Sequence, residues 1–256
     1  RRYAEAMGIH FLQVAVEPRW DSPQDLLGFY NYVEQKYRAT DLARLLAHLD
    51  PWRSLELPEN TPDRRNHMAL VLLDEMNLAR VESYFSEFLS RLEARPAWRT
   101  GLSEDACKDA LIPVDIRGLD DAPRLFPAHN LLFVGTMNDD ESTQSLSDKV
   151  LDRGNVLQFP APSTFETPTL SQVGRPAASA AAQSFTEWRG WVRSIERLST
   201  SELQFARKTI DTLSSIMRGF GRPFGHRLNQ AILAYAANYP SKPNDRLDIR
   251  SPLADQ

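Results

Sequence analysis

Residues 69–75 read Ala-Leu-Val-Leu-Leu-Asp-Glu, an apolar run that stops on two consecutive carboxylates. Such a run suits a fully buried strand of a parallel sheet, and the carboxyl end of such a strand is where open α/β sheets bind ligands. Paired acids at that place suit phosphate chemistry: Asp74 would hold Mg²⁺ and Glu75 would polarise the attacking water. About sixty residues on, a second apolar run, 131–136, leads into Met137-Asn138, and an Asn beyond a strand can hold a water or a phosphate oxygen. Fifteen positions later Arg153 closes a helical stretch, from which a guanidinium can reach the phosphate of a neighbouring subunit. Taken singly, these are an acidic turn, a cap and a surface charge. In this order and spacing along one chain they are rarely only that, and phosphate chemistry is the reading they suit.

The elements that must position these groups follow from periodicity and turn chemistry. Residues 1–7 read as the last two turns of a helix capped by Gly8, and 9–16 as a mostly buried strand stopped by Glu17-Pro18. Residues 20–32 read as a polar, aromatic loop with turns at Asp21-Ser22-Pro23 and around Gly28. Thr40 is the expected N-cap of a helix carrying Leu42, Leu45, Leu46 and Leu49 and ended by Pro51. After a solvated loop at 58–66 and the strand that ends in the two acids, Leu78, Val81, Phe85, Phe88, Leu89 and Leu92 predict one amphipathic helix to about Glu93. Residues 97–129 read as an insertion with a hairpin: a helix at 103–110, strand-like pieces around 112–116 and a turn at 118–121. A helix at 145–151 and a third short strand at 156–159 complete a pattern of alternating strands and helices, which implies a parallel α/β sheet. Pro, Ser, Thr and Ala dominate 160–184, as in a linker, and helix periodicity then runs through 185–198, 201–218 and 226–238. The expected division is an α/β core at 1–162, a linker at 163–184, a helical subdomain at 185–240 and a polar tail at 241–256.

Composition removes several other classes. The chain has 256 residues, 42% of them hydrophobic, and no apolar run approaches the ~20 residues of a membrane helix. Cys107 is the single cysteine, so an internal disulfide and a cysteine zinc site are excluded, and a reducing, cytoplasmic setting is expected. The five histidines (10, 48, 67, 129 and 226) lack metal-ligand spacing, and no serine sits in a nucleophile elbow. With 30 Lys+Arg against 34 Asp+Glu, the surface as a whole does not attract nucleic acid. Trp188 and Trp191 lie on one helix face, a spacing that usually serves core packing.

The motifs together resemble the AAA+ nucleotidases, and within them the McrB-like, dynein-related branch found in methylation-dependent restriction systems. Val71-Leu72-Leu73-Asp74-Glu75-Met76-Asn77-Leu78-Ala79-Arg80 is similar to that branch's Walker B segment. Leu132-Phe133-Val134-Gly135-Thr136-Met137-Asn138 resembles its sensor 1 strand, with Asn138 as the sensor. Leu146-Ser147-Asp148-Lys149-Val150-Leu151-Asp152-Arg153 resembles the helix that ends in the arginine finger. Phe224-Gly225-His226-Arg227-Leu228 looks like the lid motif carrying a sensor 2 arginine, with His where the family usually has Tyr; Arg227 is the preferred residue and Arg222 the alternative. The resemblance covers roughly residues 1–240. It implies an AAA+ parallel-sheet core followed by an all-helical lid, with ATP or GTP and Mg²⁺ as cofactors. Catalysis would fall to Glu75, Asn138 and Arg153, Mg²⁺ to Asp74, and nucleotide contacts to Asp74, Glu75, Asn138 and Arg227. A finger acting in trans implies a ring, expected to be a hexamer, with a McrC-like nuclease subunit as a partner, DNA contact through other domains, and no membrane.

One departure stands out: the sequence contains no G-x-x-x-x-G-K-[ST], and none of its five lysines follows a glycine. The resemblance therefore implies that the chain as given starts just after the phosphate loop and its central strand, and that this segment alone is inactive. Two other functions stay compatible with the motifs, a MoxR-type protein-remodelling chaperone and a non-hydrolysing structural module.

Overall fold

In the computed structural model the run that ends in the two acids is the middle strand of a three-stranded parallel sheet. Strand β4 (Ala69–Asp74) lies between β1 (His10–Ala15) and β7 (Leu131–Gly135), parallel to both. Ala15 is in register with Asp74 and Leu73 with Gly135, so the three carboxyl ends come to one level. The structure describes residues 1–52, 65–114, 124–138, 146–151, 153–157, 159, 182–221, 223 and 225–239. They fall into two units, Arg1–Phe185 and Thr186–Gln256. Residues 58–64 of the predicted loop at 58–66, the turn at 118–121, residues 163–181 of the linker at 163–184, Arg222 and the tail at 241–256 lie outside the described residues.

The sheet is held by the apolar face of its helices. Ala69, Val71 and Leu73 are buried with Leu42, Leu46 and Leu49 of α3 (Asp41–Leu49), Val81 and Tyr84 of α4 (Val81–Tyr84) and Phe88 of α5 (Ser86–Glu93). Each fully buried side chain of this size contributes roughly 1.5 to 3 kcal/mol. The expected starts and stops appear where the capping chemistry put them. Gly8 ends α1 (Arg2–Met7) in the left-handed conformation at φ 63°, and the Thr40 hydroxyl opens α3 by accepting the Ala43 N–H at 3.2 Å.

Several expectations need correction. The loop predicted at 20–32 contains α2 (Pro23–Leu27), whose Asp25 carboxylate accepts the N–H groups of Asp21 and Ser22 at 2.9 and 3.0 Å. Strand β2 (Gly28–Asn31) follows and pairs antiparallel with β3 (Lys36–Ala39). Asp-Ser-Pro, read as a turn, is a helix start, since Pro fits the first helical position. The single helix predicted to Glu93 is a 3₁₀ turn (Met76–Leu78), then α4 and α5, broken at Phe85 (φ −117°, ψ −15°). Val81, Tyr84, Phe85 and Phe88 stay buried across the break, so the apolar period survives a change in backbone angle that it cannot report. Residues 105–110 are a 3₁₀ helix leading to β5 (Ile112–Pro113), which pairs with β6 (Arg124–Leu125) as the expected hairpin. Val156, Leu157 and Phe159 lie outside any strand and are 56%, 69% and 87% exposed. An apolar run becomes a strand only where another strand offers backbone partners.

Residues 183–185 bond to the amino end of the sheet: Gln183 N–H to Gly8 O (3.0 Å), Met68 N–H to Gln183 O (3.4 Å) and Phe185 N–H to Asn66 O (2.7 Å). The second unit's described elements are all helices. Helix α8 (Thr200–Gly219) starts on a Ser199/Glu202 capping box and packs Ala206 and Ile210 against Ile232, Leu233, Ala236 and Ala237 of α9 (His226–Asn238). The helix predicted at 185–198 stops early, as α7 (Phe185–Trp191). Asn238 explains this by taking the Arg193 N–H at 2.7 Å and donating to the Arg193 carbonyl at 3.0 Å, in place of helical partners. Among the described residues no helix is long and apolar enough to cross a membrane.

Gly28 tests how α2 meets the hairpin. Its φ is 109°, and a Cβ there would lie 2.1 Å from the Arg38 carbonyl oxygen. Gly28→Ala is expected to destabilise the first unit by ~2 kcal/mol or more, from overpacking plus backbone strain. Urea unfolding checks this, and an unchanged midpoint would refute the close approach.

Candidate functional site

The ladder between β4 and β7 continues past the last strand residues, and this continuation builds the site. Thr136 N–H donates to Leu73 O at 3.0 Å, and Met76 N–H donates to Thr136 O at 2.8 Å. Between those two bonds the chain turns through Glu75, which has φ 52° and ψ 48° although it is not glycine. A left-handed non-glycine residue costs roughly 1 to 3 kcal/mol and persists only where its surroundings hold it. Four bonds hold this one. Glu75 N–H donates to the Thr136 hydroxyl at 3.0 Å, and Leu78 N–H donates to Glu75 O at 2.9 Å. The Met76 N–H bond is the third, and the buried Tyr84 hydroxyl donates to Met76 O at 2.8 Å. Burial against the T-shaped Trp20 ring pushes the Tyr84 phenol well above its ordinary pKa, so it stays a donor. Gly135 gives the Met76 side chain its room, because a Cβ there would sit 2.0 Å from Met76 Sδ and the thioether would have to shift.

Three predicted residues are brought together at this turn. Asp74 Oδ1 accepts from the Thr136 hydroxyl at 2.8 Å, and Oδ2 accepts from Gln13 Nε2 at 2.7 Å. The Glu75 carboxylate accepts from Asn138 Nδ2 at 3.2 Å. The Asn138 backbone is held in turn by Asn77, whose Nδ2 donates to Asn138 O at 2.8 Å. Asn77 is 5% exposed, and its Oδ1 has no hydrogen-bond partner among the described residues. Glu75, Thr136 and Asn138 face solvent, so the carboxylates are open to a ligand.

Comparison with protein-family models, with characterised proteins and with solved structures returns no match for this chain. The site therefore stands on its own geometry.

Arg153 lies elsewhere on the first unit. Its Nη1 donates to Ser90 Oγ at 3.0 Å and its Nε is 3.6 Å from Glu93 Oε2, both on α5. The start of α6 (Asp148–Leu151), the short helix before it, is fixed by Glu82, which accepts the Ser147 N–H at 3.2 Å. Arg227 is exposed in the first turn of α9 and belongs to the second unit. Among the described residues no group of three or more His, Cys, Asp and Glu side chains gathers as a metal cage. The donors present, two carboxylates and a hydroxyl, are hard oxygens. They suit Mg²⁺, which binds through one or two carboxylates while keeping water and phosphate ligands.

Gln13, Asn77, Thr136 and Gly135 were not among the predicted site residues. Gln13 had a signal, a lone amide in an apolar strand. Thr136 and Asn77 had none, because their partners lie about sixty residues away.

Hydrogen bonding from Ser147 holds the Glu82 carboxyl below its ordinary value of 4.5. A lowered folded-state pKa contributes stability that is present above about 4.5 and is lost as pH falls through the folded value. The gap in Tm between the wild-type chain and Glu82→Gln is therefore expected to close below that pH. A gap that stays constant down to about pH 3 would disprove the bond between α4 and α6.

Proposed function

We propose that the chain is the catalytic core and helical lid of an AAA+ type nucleotidase, working in an oligomeric ring as the motor of a McrB-like restriction or defence system. The observation that carries this reading is the grouping of Asp74, Glu75 and Asn138 at the carboxyl end of two neighbouring parallel strands, with Asn138 Nδ2 3.2 Å from Glu75 Oε1. That end of a parallel sheet is where phosphate ligands are bound, and the two acids divide the work by position. Asp74, which accepts a hydrogen bond on each oxygen, would hold Mg²⁺, and the ion would neutralise charge on the phosphates. Glu75 accepts a proton from the attacking water, and Asn138 orients that water against the γ-phosphate. This reading requires a phosphate-cradling loop, which the present sequence does not contain.

Arg153 acts across a subunit boundary in this reading and stabilises charge in the transition state. To do so it leaves Ser90 and Glu93, its partners within the chain. Arg227 reads the nucleotide from the helical unit. ATP and GTP are both compatible with these residues, and a McrC-like nuclease subunit and DNA-reading domains complete the system.

Two experiments on a protein that includes the phosphate loop test the proposal. Glu75→Gln should bind nucleotide as the wild type does and lose turnover by about 10²-fold or more; unchanged turnover would reject the assignment. Arg153→Ala should be inactive alone and regain part of its activity when mixed with Glu75→Gln, since an interface that sets the acid of an Arg153→Ala subunit against the arginine of a Glu75→Gln subunit is intact. Absence of that rescue would remove the trans role.

A further inference from the structure

Strand β1 reads His-Phe-Leu-Gln-Val-Ala, and its single amide, Gln13, is solvent-exposed with Nε2 bonded to Asp74 Oδ2 at 2.7 Å. On the other side of the same carboxylate, the Thr136 hydroxyl donates to Oδ1 at 2.8 Å. That hydroxyl is used twice, because it also accepts the Glu75 N–H at 3.0 Å. Resting on the reading of Asp74 and Glu75 as a Mg²⁺ and water site, we propose that Gln13 and Thr136 are positioning residues that set the Asp74 carboxylate for a divalent cation, with Thr136 also holding Glu75 beside it.

The geometry gives each a distinct task. Two donors on opposite oxygens fix the rotation of a carboxylate about its Cβ–Cγ bond, and each oxygen keeps a second lone pair for a cation. Gln13 approaches from β1 and Thr136 from the residue just past β7, so the Asp74 carboxylate is braced from both sides of β4. Thr136 further ties that brace to the left-handed peptide at Glu75, so the orientation of Asp74 and the place of Glu75 are set by one hydroxyl. A hydroxyl has one proton and two lone pairs, which is what donating to Asp74 while accepting from Glu75 requires. Valine has nearly the same shape and can do neither. Serine can do both. Groups that orient a metal ligand typically govern about 10 to 100-fold in metal affinity.

Mn²⁺ binding to the chain, followed by paramagnetic broadening of the backbone amide resonances of residues 73–76, tests this without turnover. The concentration for half-broadening should rise about tenfold in Thr136→Val and in Gln13→Leu and stay near wild type in Thr136→Ser. In a protein carrying the phosphate loop, Gln13→Leu should need correspondingly more Mg²⁺ yet recover kcat at saturating Mg²⁺, which damage to the fold would not allow, whereas Thr136→Val should need more Mg²⁺ and also keep a lowered kcat, because Glu75 loses its hydroxyl partner. Gln13 is exposed, so Gln13→Leu keeps the test decisive if Thr136→Val fails to fold. Wild-type midpoints in Gln13→Leu or in a folded Thr136→Val would overturn the role of that residue while leaving the metal reading intact, provided Asp74→Asn abolishes the broadening. Broadening at residues 73–76 that is missing in the wild type, or unaffected by Asp74→Asn, would overturn the metal reading of Asp74 and the positioning roles with it.

Discussion

Parallel strands hydrogen-bond at even intervals, and in this protein two such bonds fall just beyond the strands themselves, from Thr136 N–H to Leu73 O and from Met76 N–H to Thr136 O. The candidate site depends on that short extension. It forces the chain to leave β4 through a left-handed Glu75, which turns the acid out of the sheet while Met76 dives into the core against Gly135. Without that pairing Glu75 would lose the Met76 bond, one of the four that hold it at φ 52°. The core beneath serves the same end, since Tyr84, buried under Trp20, bonds the carbonyl of Met76 and closes the turn from below.

Much of the framework was legible because its signals are local. An apolar run ending in Asp-Glu, a Thr before a leucine-rich helix and a Gly after a short one each contain their own cause, and β4, α3 and α1 appear accordingly. Where the cause lies elsewhere in the chain, sequence patterns failed. The β2–β3 hairpin needs Gly28 to meet the Arg38 backbone, an approach that no spacing reveals. Residues 156, 157 and 159 carry the composition of a strand but have no strand ladder around them.

The site divides along the same line. Asp74, Glu75 and Asn138 were readable as strand-terminal polar residues, and they do meet at the end of the sheet. Their supports were hidden, because a threonine after a glycine says nothing about an aspartate sixty-two positions earlier. Arg153 illustrates a different limit. Its position at the end of a helical stretch was evident, whereas its bonds to Ser90 and Glu93 follow from how α5 lies in the folded unit.

The bonds of residues 183–185 carry a mechanical consequence. These residues fasten to Gly8, Asn66 and Met68, at the amino ends of β1 and β4, whereas the carboxylates sit at the carboxyl end. A six-residue strand spans roughly 20 Å at about 3.3 Å per residue. The covalent exit toward the helical unit thus begins at the pole of the sheet opposite the acids. A displacement at Glu75 that travels along β4 crosses the length of the strand before it reaches the bond between Met68 and Gln183.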